Sequence, residues 1–140
     1  MEKLNIGALK ERLNNNINDV EAALSLGNVY YDMNDAPRAI VYYRRALDLN
    51  PDLPNARTDL GAMYWRNDDV GLAEQSFRDT IARDASFGQA YVNLGLILHK
   101  AKGKVSEART VWQQLLDINP NHEVAGKARE LLAETATLIN

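Results

Sequence analysis

A period of 34 residues runs through the chain and decides most of what it can fold into. Leu26-Gly27 is followed by Leu60-Gly61 and then by Leu94-Gly95, each pair 34 residues after the last. Three residues beyond those glycines stand Tyr30, Tyr64 and Leu98. Ala39 and Ala73 keep the same period, and Ala108 arrives one residue late. Four residues after each alanine is a large aromatic: Tyr43, Phe77 and Trp112. A repeat of this length is one supersecondary unit that cannot bury its apolar face alone, so consecutive units must stack.

Each unit reads as two helices. Ala23, Leu26, Gly27 and Tyr30 recur at spacings of three and four, which places them on one helical face. Met33-Asn34-Asp35-Ala36 is a polar break, and Pro37 suits the first turn of the next helix. Ala39, Tyr43, Ala46 and Leu47 repeat the helical spacing until Asn50-Pro51 ends it, because proline removes a backbone donor and restricts the residue before it. A glycine inside a helix costs about 1 kcal/mol relative to alanine. Three at a fixed period therefore imply close packing, with the aromatic of the partner helix resting on each glycine. The third unit carries one extra residue in Ala101-Lys102-Gly103-Lys104-Val105, a loop insertion that leaves the helices unchanged.

These residues resemble the tetratricopeptide repeat, whose motif joins an apolar-Gly pair, a Tyr, an Ala, an aromatic, an Ala and a Pro at set offsets. Leu26, Gly27, Tyr30, Ala39, Tyr43, Ala46 and Pro51 match it in the first repeat. Leu60, Gly61, Tyr64, Ala73 and Phe77 match in the second, with Thr80 and Ala85 in place of Ala and Pro. Tyr91, Leu94, Gly95, Ala108, Trp112 and Pro120 match in the third, with Leu98 and Leu115 as departures. The resemblance implies an all-α fold, a right-handed α-solenoid of stacked helix-turn-helix repeats with about eight helices, forming a single domain. Its parts are an N-terminal helix over 1–19, repeats over 20–53, 54–87 and 88–122, and a capping helix over 123–140.

At the N-terminus Leu4, Ile6, Leu9 and Leu13 give one apolar face, as in the second helix of a preceding repeat. The segment reads either as a natural N-terminal cap or as the sign that the chain is a piece of a longer protein, the second being favoured. At the other end Ala125, Ala128, Leu131, Leu132 and Ala136 form an apolar stripe, with Glu123, Lys127, Arg129, Glu130 and Glu134 toward solvent. That suits the helix a solenoid needs to cover its last face.

Composition excludes several function classes. The formal net charge is −3, against the basic surface that nucleic-acid binding requires. There is no cysteine, hence no disulfide, thiol nucleophile or thiolate metal site. No apolar run approaches the roughly 18–20 residues of a membrane span. His99 and His122 belong to no zinc motif and read as solvated side chains. Asp68-Asp69 reads as an inter-helix turn rather than a metal site. No phosphate-binding loop or nucleophile elbow is present. No enzyme, no metal and no cofactor are expected.

In the family the first helix of each pair lines a concave groove that holds partner segments. Here the lining positions hold Glu21, Leu24, Asn28, Tyr31 and Asp32, then Asn55, Thr58, Ala62, Trp65 and Arg66, then Gln89, Val92, Leu96, His99 and Lys100. From these the partner-binding residues are expected to be Asn28, Tyr31, Asp32, Asn55, Trp65, Arg66, Gln89, His99 and Lys100, with Asn93 beside them. Tyr31, Trp65 and His99 form one column every 34 residues. Tyr and Trp bury large area at low entropic cost and keep a polar tip. The family's clamp for a C-terminal carboxylate uses Lys, Arg and Asn. At the matching places stand Leu24, Asn28, Asp59, Gln89 and Asn93. Only Asn28 fits, and Asp59 would repel a carboxylate.

The expected function is therefore a non-enzymatic adaptor whose groove holds a partner peptide or helix. The alternative is a scaffold that self-assembles into homo-oligomers through its terminal helices. An enzyme subunit stripped of its catalytic part, and an RNA-binding helical repeat, rank lower. The repeat region is also similar to bacterial envelope-tethered repeat proteins, cytochrome c maturation factors among them. Localisation is expected to be cytoplasmic if the chain is complete, and periplasmic or membrane-tethered if an upstream anchor has been removed.

Overall fold

The computed structural model describes residues 5–138. Among them are eight helices and no strand. Internal contacts group the chain into two compact units, Met1–Asp69 and Val70–Asn140.

The first unit holds α1 (Ile6–Asn15), α2 (Val20–Asp32), α3 (Ala36–Leu49) and α4 (Pro54–Arg66). Its core forms where α2 and α3 pack, around Ala23, Leu26, Ala39, Tyr43 and Ala46, all at most 1% exposed. Gly27 makes this approach feasible: a Cβ there would lie 2.6 Å from the Tyr43 ring. Pro37 sits in the first turn of α3, as expected, and Asp35 caps that helix by accepting from Arg38 N. Asn34 takes the left-handed conformation (φ 60°). The backbone N–H of Asp35 then reaches back to Tyr30 O, and that of Asn34 to Tyr31 O, a Schellman closure of α2. Asp68 (φ 64°) repeats this closure at the end of α4, with Asp69 N–H donating to Tyr64 O. The expected turn at Asp68-Asp69 is thus what these residues make.

α1 ends at Asn15. Leu13 is buried and Ile6 and Leu9 are half-buried, while Leu4 lies outside the described residues. Asn16 takes an extended conformation that ends the helix. Arg12 then clasps Asp19, the N-cap of α2.

The second unit holds α5 (Val70–Arg83), α6 (Gly88–Lys100), α7 (Val105–Ile118) and α8 (Ala125–Glu134). Trp112 occupies its centre with no exposure. A Cβ on Gly95 would fall 2.0 Å from Trp112 Nε1, and that nitrogen donates to Val92 O at 3.3 Å. A buried indole needs such an acceptor. Three of the four departures from the repeat motif also lie in the core. Leu98 and Leu115 are buried apolar fill, and Thr80, fully buried, satisfies its hydroxyl on Ser76 O. Ala85, in the place of a proline, offers its carbonyl to the Tyr91 hydroxyl. The inserted residue widens the α6–α7 turn: Gly103 takes φ +67°, and Lys104 N–H reaches six residues back to Leu98 O.

Two expectations are corrected in this unit. The capping helix stops at Glu134, so Ala136 is exposed and Thr135 is buried in its stead. The cause is local: Thr135 Oγ1 donates to Leu131 O and accepts from Arg109, whose guanidinium also bonds Leu132 O. Nor are the histidines freely solvated, since both are half-buried. His99 stands edge-on to Trp112, ring centroids 6.4 Å apart. His122 Nδ1 accepts from Val124 N, and its ring occupies the space a Cβ on Gly88 would need.

Candidate functional site

α2 and α4 are the first helices of the first two repeats, and between them the first unit has a cleft of about 290 Å³. Its lining comprises Leu24 and Asn28 from α2, and Leu53, Pro54, Asn55, Ala56 and Asp59 at the start of α4. Pro54 opens α4 and lacks the N–H that a first-turn residue would leave unpaired.

Asn28 is held in place from behind. The Tyr43 hydroxyl donates to Asn28 Oδ1 at 2.7 Å, which leaves the Asn28 Nδ2 hydrogens directed elsewhere. Burial, and the nearby Asp59, Tyr31 and Asp32, push the Tyr43 phenol well above its usual range, so it remains a donor. Asp59 is the electrostatic focus of the cleft. It is partly buried and, among the described residues, has neither a hydrogen bond nor an ion pair. Burial first, and the Asp32 carboxylate second, raise its pKa to about 6.

The structure brings Asn28 and Asn55 into this cleft, and the Asp32 charge acts on both Asp59 and Tyr43, with Tyr31 acting on Tyr43. Tyr31 and Trp65 are half-buried; Asp32 is exposed. Arg66 is occupied elsewhere, since its guanidinium donates to Asn34 Oδ1 in the α2–α3 turn. In the second unit Gln89, Asn93, His99 and Lys100 all lie on α6. Gln89 Nε2 donates to Asn93 Oδ1 at 2.8 Å, and Lys100 is exposed at the helix end. Two lining positions belong to the core instead: Thr58 and Val92 are 4% and 2% exposed, and Thr58 turns its hydroxyl onto Pro54 O.

Asp59 is the residue that the lining period misses, falling one place after Thr58. The available signal was its place among the family's carboxylate-clamp positions, where an acid stands instead of a base. Among the described residues no three His, Asp or Glu side chains come close enough to hold a metal ion. No helix there is long and apolar enough to cross a membrane.

Comparison with known proteins places these helices in a wider group. A TPR repeat family model matches residues 27–68, and a tetratricopeptide repeat model matches 64–123. RNA polymerase II-associated protein 3 of Homo sapiens is 27% identical over 126 residues, covering 87% of this chain and 19% of that protein. Across the curated relatives the chain spans between 11% and 28% of their length. The crystal structure of MamA superposes with a TM-score of 0.80 at 26% identity, covering 95% of this chain and 77% of that one. The first TPR of Spaghetti, bound to the HSP90 peptide SRMEEVD, superposes with a TM-score of 0.69 at 24% identity, covering 84% and 95%.

Proposed function

The chain belongs to the tetratricopeptide repeat family, and on that premise we propose that it is a non-catalytic adaptor that holds an extended segment of a partner protein. The observation that carries this reading is the α2/α4 cleft, where Tyr43 fixes Asn28 and so aims amide donors at a bound main chain. A side chain already ordered in the free protein loses little further entropy on binding. Asn55 supplies a second amide on the opposite wall. Tyr31 and Trp65, half-buried on the two helices, serve as anchors that a partner can cover completely.

The peptide in the Spaghetti structure, SRMEEVD, contains three acidic residues. Such a peptide suits this cleft poorly, because Asp59 and Asp32 would oppose its charges. The partner of this chain is accordingly of different chemistry, although the fold is shared.

Affinity capture from cell lysate with the native chain and with a Tyr31→Ala/Trp65→Ala variant tests the reading. A partner held by the native protein and lost by the folded variant supports the groove. A partner held equally by both moves the site off α2 and α4, and the proposal fails.

A further inference from the structure

We infer that the α2/α4 cleft receives a lysine or arginine side chain of the partner segment, with the Asp59 carboxylate as its counter-ion. The inference rests on the groove reading above and gives it a ligand chemistry.

Three features of the cleft lead here. Its walls are apolar at Leu24, Leu53, Pro54 and Ala56, and the methylene stem of a long basic side chain packs well on such a surface. Its volume of about 290 Å³ is ample for one such chain and small for a helix. One wall ends in a carboxylate with no partner, although every Asp and Glu at a helix cap or ion pair described above is matched. A carboxylate withdrawn from water without a hydrogen bond is unfavourable, and here the Asp32 charge adds to the cost. Among the described residues no cation is paired with it: Arg57 donates to Pro51 O and Arg66 to Asn34 Oδ1. A basic group from outside would remove both penalties at once, and Asn28 and Asn55 would bond the adjoining peptide groups. An acidic or C-terminal group would add a third negative charge.

Selection of a random peptide display library on the full chain tests this directly. Native protein should enrich peptides that share a lysine or arginine at one fixed position. Replacing that residue by glutamine should weaken binding roughly tenfold, the scale of a charge-assisted hydrogen bond. Asp59→Asn should cause a similar loss with the basic peptide and none with the glutamine peptide, so that the two changes are not additive. Asp59→Asn removes no internal hydrogen bond, and its thermal unfolding should show a folded protein. Peptides that need Tyr31 and Trp65 yet bind native and Asp59→Asn protein alike would overturn the inference and leave the groove reading standing. A selection yielding no peptide that depends on Tyr31 and Trp65 would remove the premise, and both would fall.

Discussion

At the scale of single residues the decisive contacts are glycine against aromatic ring. Gly95 has Trp112 Nε1 where its own Cβ would be, at 2.0 Å, and Trp112 is fully buried with its N–H committed to Val92 O. Gly95→Ala is expected to lower stability by about 2–3 kcal/mol, the upper range for overpacking a core. Urea unfolding followed by tryptophan fluorescence measures it. Asp59 behaves differently. Its folded pKa of about 6 lies above the ordinary carboxylate value of 3.8. Folding therefore favours the protonated form, and the stability this gives is complete below about pH 4 and is lost as pH rises through 6. Asp59→Asn should accordingly raise the unfolding temperature at pH 7 and flatten its pH dependence between 4 and 6. The gain should be no more than about 1 kcal/mol, because solvent still reaches this half-buried group and screens it. Equal melting temperatures for the two proteins across that window would refute the assignment.

At the scale of elements, the helices are punctuated by left-handed turn residues. Asn34 and Asp68 occupy the same place in the α2–α3 and α4–α5 turns, with φ of 60° and 64°, while Gly103 (φ 67°) stands one place later in the widened α6–α7 turn and closes it with a different set of hydrogen bonds. The sequence reads as a loop here in all three repeats, but the shared conformation follows from the Schellman geometry rather than from residue type. Asp68→Val should lower stability by about 1 kcal/mol or more, because a β-branched residue resists positive φ. Asp68→Gly should cost nothing, and chemical unfolding of the pair compares them. The ends of the chain were less legible. Ala136 fits the apolar spacing of α8 as well as Leu132 does, yet Arg109 of α7 holds Leu132 O and Thr135 Oγ1 and so settles where the helix stops. Arg109→Ala should therefore loosen residues 131–138, read as faster amide exchange there than elsewhere in α8.

At the scale of the whole molecule, most core contacts are made between consecutive helices, as in α2 with α3 and α6 with α7. Stability in such a chain is a sum of local and nearest-neighbour terms. Native-state amide exchange is expected to be graded, with the greatest protection in α2, α3, α6 and α7 and the least in α1. Among the described residues the large exposed apolar side chains include Val41, Leu72 and Ile118, each on a different helix, and Ile17 in the α1–α2 turn. Light scattering coupled to size exclusion should therefore return the 15.7 kDa monomer, and a concentration-dependent dimer would revive self-assembly through the terminal helices.

The sequence by itself determined the helix pairs, their order and most of their core. A 34-residue period of small and aromatic residues permits few other packings, and even the departures at Thr80, Leu98 and Leu115 stay within it. It also pointed to the face of α2 and α4 that carries Asn28, Tyr31 and Asn55. Only the tertiary structure decided what each polar group on that face does. Arg66 reaches along the surface to Asn34 and Thr58 turns inward to Pro54, while Asp59, one place off the period, stands in the cleft with no partner among the described residues. Periodicity fixes the direction in which a residue leaves its helix. Whether a charge there is matched depends on side chains from other helices, and no spacing along one helix encodes that.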